Sequence, residues 1–115
     1  MLKPTYKYHP TTKDELVEII KKEVTNNGWK CDLNHIDVTE ITDMSYLFSP
    51  TTNDGYGLDD FNGNISKWDV SNVKSMSYMF ASSKFNGDIS NWNVSEVNDM
   101  SSMFSRSEFN GDISE

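Results

Sequence analysis

Two hydrophobic rhythms divide the chain. Leu16, Ile19, Ile20 and Val24 fall at helical spacing, and Val17 widens the stripe. Thr12-Lys13-Asp14-Glu15, after Pro10, reads as a capping box, and Asn27-Gly28 supplies a stop. Together these signals predict a helix over about 13–26. Beyond Trp29 the rhythm changes. Ile65-x-x-Trp68-x-Val70 places Trp68 and Val70 on one face of an extended segment, and Val73 continues the apolar set. Ser75, with Asp43 and Asp99 at the matching positions, can cap a short helical turn in which Met76, Met79 and Phe80 share a face. Asn86-Gly87 is a dipeptide suited to a tight corner.

That second rhythm recurs. Residues 61–84 read FNGNISKWDVSNVKSMSYMFASSK and residues 85–108 read FNGDISNWNVSEVNDMSSMFSRSE, a period of 24. Residues 109–115, FNGDISE, begin a further copy. A diverged copy lies at 33–48, LNHIDVTEITDMSYLF, separated from Phe61 by twelve residues where the regular copies have four. A fixed period of this length predicts a solenoid in which each unit packs on its neighbours. The fold class expected is therefore an α/β-type repeat solenoid. Its short parallel strands, at about 65–70 and 89–94, would stack in a right-handed coil resembling a leucine-rich repeat. Phe61, Phe85 and Phe109 would form one interior column and Trp68 and Trp92 another, with Trp29 opening the Phe61 column. The domain reading is an N-terminal segment 1–28 with its capping helix, then a solenoid over 29–115. That solenoid divides into a diverged unit at about 29–60, regular units at 61–84 and 85–108, and a truncated unit at 109–115.

The phrases FNGNISKWDVSNVKSMSYMF and FNGDISNWNVSEVNDMSSMF, sharing the core W-x-V-S-x-V-x-x-M-S-x-M-F, resemble the bacterial surface-antigen repeats of BspA-like proteins. These are a branch related to leucine-rich repeats, and the resemblance covers roughly residues 29–115. It implies a solenoid of short strands and turns, displayed at the cell surface, with adhesion as the usual proposal for its role.

Composition narrows the function classes. At 115 residues the chain has room for one domain. Its 36% hydrophobic share is low, but three Trp, five Tyr and six Phe argue for a folded chain with a thin core. One cysteine excludes an internal disulfide framework. Residues 1–30 carry net +2 and residues 31–115 net −10, so nucleic acids and anionic membranes are disfavoured and a basic partner surface is favoured. No apolar run is long enough to span a membrane. No apolar h-region follows Met1, which points to the cytoplasm by default, against the cell surface implied by the resemblance.

Candidate chemistry is sparse. Cys31 and His35 have a C-x3-H spacing, but a zinc site needs three or four ligands, and a small residue at a corner explains Cys31. Nothing in the sequence orients a Cys–His pair for catalysis. The insertion Asn53-Asp54-Gly55-Tyr56-Gly57-Leu58-Asp59-Asp60 has oxygen ligands but not the spacing of a calcium loop, and reads as a solvated acidic loop. No cofactor and no enzymatic activity are expected. The sequons Asn64-Ile65-Ser66 and Asn93-Val94-Ser95 read as chance matches in a chain rich in Asn and Ser.

What remains is the outward strand face. Its ranks His35/Lys67/Asn91 and Asp37/Asp69/Asn93 are the candidate partner-binding residues, with Asp37 and Asp69 a like-charge pair. Thr39, Ser71 and Ser95 would form a hydroxyl ladder beside them. The function expected is a non-enzymatic, adhesin-like module binding a protein or glycan through this face. The alternative is a purely structural spacer or terminal cap of a longer array. The last unit, exposing Phe109, Ile113, Trp92 and Phe104, is expected to drive end-to-end association into a homo-oligomer.

Overall fold

The structure, a computed structural model, describes residues 5–111. It opens with a segment that bridges to the body in parallel at Tyr8 and Ile36. Helix α1 follows, Lys13–Asn27. Thr12 Oγ1 accepts the N–H of Glu15 at 3.2 Å, and the Glu15 carboxylate accepts from the N–H of Thr11 at 2.7 Å. Gly28, at φ 89°, ends the helix by donating its N–H to the Val24 carbonyl. Leu16, Val17 and Ile20 are buried against the body, while Ile19 and Val24 are only half covered.

The strand-built solenoid expected from the sequence does not form. Among the described residues the regular elements are α1 and a 3₁₀ turn, Thr51–Asn53. The parallel bridges among the described residues are isolated ones: Tyr8–Ile36, Asp32–Asn64, Asp43–Ser75 and Ser75–Asp99. The α/β class, the right-handed leucine-rich-repeat-like coil and the strands at 65–70 and 89–94 are therefore corrected. The body is built of turns, in one compact domain with a radius of gyration of 13.0 Å.

The physical reason lies in the apolar spacing. Ile65/Trp68, Val70/Val73 and Met76/Met79 are each three apart, and each pair closes a four-residue turn. The N–H groups of Trp68, Val73 and Met79 donate to the carbonyls of Ile65, Val70 and Met76 at 3.2, 3.0 and 3.1 Å. A carbonyl used this way is satisfied inside its own turn, so no regular strand forms, and neighbouring units meet through short rows of backbone hydrogen bonds between turns, as from the N–H groups of Met44, Tyr46 and Phe48 to the carbonyls of Ser75, Ser77 and Met79. Side chains reinforce each bend. Asn64, Asp69, Asp88, Asn93 and Asp99 each accept, through Oδ1, the N–H of the serine two residues on. These are Asx turns, which bend the backbone away from helix and strand alike. The hydroxyls of Thr39 and Ser71 bond back to Asp37 and Asp69 at 2.7 and 2.6 Å, so the cross-unit hydroxyl ladder is replaced by local closure. The segment Met76–Phe80 is likewise no helical turn, because Tyr78 lies at φ 56°.

Between these turns the interior is aromatic. Trp68 and Trp92 stack with centroids 6.4 Å apart and planes 6° from parallel, each only 3% exposed. Their Nε1–H groups donate to the carbonyls of Leu33 and Ile65, so neither indole strands a buried donor. Phe61, Phe85 and Phe109 stack at 6.1 and 6.2 Å, beside Phe48, Phe80 and Phe104 at 5.5 and 5.6 Å. The Trp29 carbonyl receives the Asn62 N–H, but the indole stays 39% exposed and does not join the Phe61 column. Residues 112–115, including Ile113, lie outside the described residues.

Two outcomes follow from this packing. Trp68→Phe removes the donor to the Leu33 carbonyl and leaves a void, and urea denaturation should show a loss of about 1–3 kcal/mol. Asp88 and Asp99 are held below the usual carboxylate range, first by the serine hydroxyls of Ser90 and Ser101 and then by their N–H groups. A lowered carboxyl contributes stability above its ordinary pKa of 3.8, and the contribution fades as pH falls below that. Asp88→Asn with Asp99→Asn keeps the acceptors but not the titration. Thermal melts should therefore show near-unchanged stability at pH 7 and a shallower loss below about pH 4.

Candidate ligand groove

The six residues expected to form a partner-binding face divide between two environments. His35 and Asp37 lie under the N-terminal segment, where the Lys7 N–H donates to the His35 carbonyl and the Asp37 N–H to the Tyr8 carbonyl, both at 2.8 Å. The His35 Nε2 is 2.9 Å from Glu23 Oε1, and Tyr8 Oη donates to Glu23 Oε2 at 2.9 Å. Burial pushes the Glu23 carboxyl up, but the Tyr8 hydroxyl and the His35 ring outweigh it and hold the group below its ordinary value. Asp37 Oδ2 meets His9 Nδ1 at 3.1 Å, so the like-charge neighbour of Asp69 has a partner of its own. Lys67, Asp69, Asn91 and Asn93 are exposed. Asp69 and Asn93 are engaged in Asx turns, and the Lys67 N–H donates to Asn34 Oδ1 at 2.9 Å.

There is no outward strand face for these residues to stand on. The adhesin-like module reading and its spacer alternative both required an extended stack of strands, and among the described residues the compact, turn-built domain provides none. Both are withdrawn.

Chemistry gathers instead on the turns that carry Tyr46 and Tyr78. A groove of about 340 Å³ is lined by Tyr46, Asp54, Tyr78, Ala81, Ser82, Ser105 and Arg106. Tyr46 and Tyr78 stack with centroids 5.0 Å apart and planes 1° from parallel. The wall carrying Asp54 belongs to the insertion between Phe48 and Phe61. It is clamped to Ser49: the Gly55 N–H donates to the Pro50 carbonyl at 3.0 Å and the Tyr56 N–H to the Ser49 carbonyl at 3.1 Å. A Cβ on Gly55 would fall 2.0 Å from that Ser49 carbonyl oxygen, so only glycine fits. Ser49, fully buried, donates its hydroxyl to the carbonyls of Tyr78 and Ala81, which fixes the turn carrying Tyr78.

The backbone of this groove is unusual. Among the described residues six non-glycine residues have positive φ, and five of them, Tyr46, Asp54, Tyr78, Ser82 and Arg106, line it. The left-handed region costs a side-chain-bearing residue about 1 kcal/mol or more, least for Asn and Asp and more for a bulky ring. Glycine or asparagine would suit Tyr46, Tyr78 and Arg106 better on backbone grounds. That two tyrosines and the chain's only arginine stand there indicates a use for the side chains.

Sequence reasoning placed Met76, Met79 and Phe80 but passed over Tyr46 and Tyr78. The available signal was their shared position, three residues after Asp43 and Ser75, between the inward pairs Met44/Leu47 and Met76/Met79. A second recess, of about 520 Å³, lies beside His9, Pro10, Asp14, Glu15, Glu18 and Ile19 at the start of α1. Its Glu15 is already engaged with Thr11. Among the described residues no three of His, Cys, Asp and Glu converge as metal ligands.

These features define a small single-domain protein of stacked turns, capped by one helix and carrying an aromatic–polar groove. The chain belongs to the family described as Mycoplasma protein of unknown function, DUF285, which it matches over residues 18–115. This corrects the BspA-like, leucine-rich-repeat-related resemblance, because the family shown is another and the described residues lack the strands such a fold requires. No curated protein and no solved structure matches the chain.

If the strained residues serve a ligand rather than the fold, relieving the strain should not harm stability. Arg106→Gly is expected to leave the melting temperature unchanged or to raise stability by up to about 1 kcal/mol, as measured by thermal denaturation.

Proposed function

We propose that this protein is a non-catalytic binding protein whose ligand occupies the groove between Tyr46, Tyr78 and Arg106. The observation that carries this reading is the gathering of left-handed, non-glycine residues around one recess with a parallel tyrosine pair. Residues that keep a costly backbone conformation gather at ligand sites more than elsewhere. The groove offers phenol, hydroxyl, carboxylate and guanidinium groups, which suit hydrogen bonding and stacking. A catalytic reading has less support. The Cys31 thiol is pushed up by burial and by the nearby Glu23 and Asp32 carboxylates, and His35 is turned to Glu23. The test is an NMR titration with small probes: methyl glucoside, inorganic phosphate, acetate and indole. At least one should shift the amides of Tyr46, Tyr78, Ser82 and Arg106. If none does so at 50-fold excess or above, the groove is not a site.

A second association rests on the last layer of turns. The N–H groups of Met76, Tyr78 and Phe80 donate to the carbonyls of Asp99, Ser101 and Met103. The matching N–H groups of Met100, Ser102 and Phe104 have no acceptor among the described residues. Val97, Met100, Phe104 and Phe109 are only half covered beside them. We propose end-to-end self-association through this surface, driven by the apolar side chains, since two identical edges would set donor against donor. Light scattering of the 115-residue chain should show a concentration-dependent dimer that Phe104→Ser with Phe109→Ser abolishes. A monomer at millimolar concentration would contradict it.

A further inference from the structure

We infer that the ligand of this groove is a zwitterion, an α-amino acid held by its ammonium group at Asp54 and by its carboxylate at Arg106. The inference rests on the binding reading above and names the ligand class for it.

The starting point is a pair of opposite charges that line one recess without meeting. Asp54 comes from the insertion and Arg106 from the last unit, and both belong to the groove. Elsewhere on the surface exposed charges find partners: Lys13 with Asp43 at 3.2 Å, Lys74 with Glu96 at 3.0 Å, Lys84 with Asp60 at 3.2 Å. Among the described residues neither Asp54 nor Arg106 belongs to an ion pair, so their charged atoms stand more than 4.0 Å apart. Each wall is fixed by its own backbone. Asp54, at φ 66°, donates its N–H to the Thr51 carbonyl at 3.2 Å. Arg106, at φ 55°, follows Ser105, whose carbonyl accepts the Ser82 N–H at 2.8 Å. A ligand carrying both charges closes the gap with its own atoms.

The two charges select among small ligands. A carboxylate receives the planar fork of a guanidinium through two parallel N–H bonds. An ammonium donates to the Asp54 carboxylate and is attracted to tyrosine rings. In an α-amino acid the two groups flank one carbon, so with a hydrogen bond of about 2.8 Å at each end the ligand spans about 8 Å. A round recess of 340 Å³ measures about 9 Å across, which accommodates that span. A singly charged ligand leaves one rim charge without a partner. An anion also meets an acidic body, since residues 31–115 carry net −10 with Arg106 already counted. Tyr46, Tyr78 and Ala81 supply the apolar part of the lining, which favours an apolar or aromatic side chain over a charged one. Ser82 is already engaged and is not counted among the ligand groups.

The experiment is an NMR titration of the whole chain with phenylalanine, phenethylamine, phenylacetate and N-acetylphenylalaninamide in parallel. These share one ring and carry both charges, the ammonium alone, the carboxylate alone or neither. Phenylalanine is expected to shift the amides of Asp54, Tyr78 and Arg106 with a dissociation constant of about 1 mM, at least fivefold tighter than either singly charged probe. Asp54→Asn keeps a residue suited to the left-handed backbone and should bring phenylalanine down to the affinity of phenylacetate. Arg106→Gly should bring it down to that of phenethylamine. Dispersed amide spectra confirm that both variants fold. Undiminished phenylalanine binding in either folded variant overturns the assignment. If another probe binds the groove as tightly as phenylalanine, the groove remains a site but its ligand is not a zwitterion. If none of the four shifts it, the groove reading falls together with this one.

Discussion

The four-residue turn, closed by a hydrogen bond from its fourth residue to its first, is the constraint on which this protein depends. Each one brings two apolar side chains to the interior, as Ile65 with Trp68 or Met76 with Met79, and satisfies its own first carbonyl within the turn. An Asp or Asn at the bend then holds the N–H two residues on, so the chain turns without requiring glycine at every corner. A core this thin is stable because the bends deliver rings onto rings. The tryptophan pair and the two phenylalanine columns fill what would otherwise be an interior of polar loops.

Much of the packing was legible in the sequence. The 24-residue period set Trp68 under Trp92 and Phe61 under Phe85, and the eight extra residues before Phe61 explain why Asp43 meets Ser75 across 32 positions while Ser75 meets Asp99 across 24. The backbone that joins these positions was not legible. A spacing of three suits a closed turn, but Trp68 and Val70, two apart, also fit one face of a strand. Only the hydrogen bond from Trp68 to the Ile65 carbonyl decides between them. Asn64-x-Ser66 and Asp88-x-Ser90 carry the opposite signal, since an Asx residue two before a serine favours a turn over a strand.

The groove was harder still to foresee. A tyrosine with positive φ leaves no mark on a sequence, because the residue types that announce that conformation are Gly, Asn and Asp. At Asp54 the signal was present; at Tyr46, Tyr78 and Arg106 it was not. The outward ranks drew attention because alternation predicts outward residues on a strand. With turns in place of strands, His35 and Asp37 instead anchor the N-terminal segment through Glu23 and His9. The same polar residues that would have served recognition on a sheet face thus serve to hold α1 and Tyr8 against the body.

The account stands or falls on the backbone at the tyrosines. The most direct measurement is the three-bond HN–Hα coupling together with the Cα and Cβ shifts of Tyr46, Tyr78 and Ser102 in solution. Left-handed values at all three, with i to i+3 connectivities from Met76 to Met79, are the result this account predicts. Shifts of continuous extended strand across residues 76–80 would contradict it.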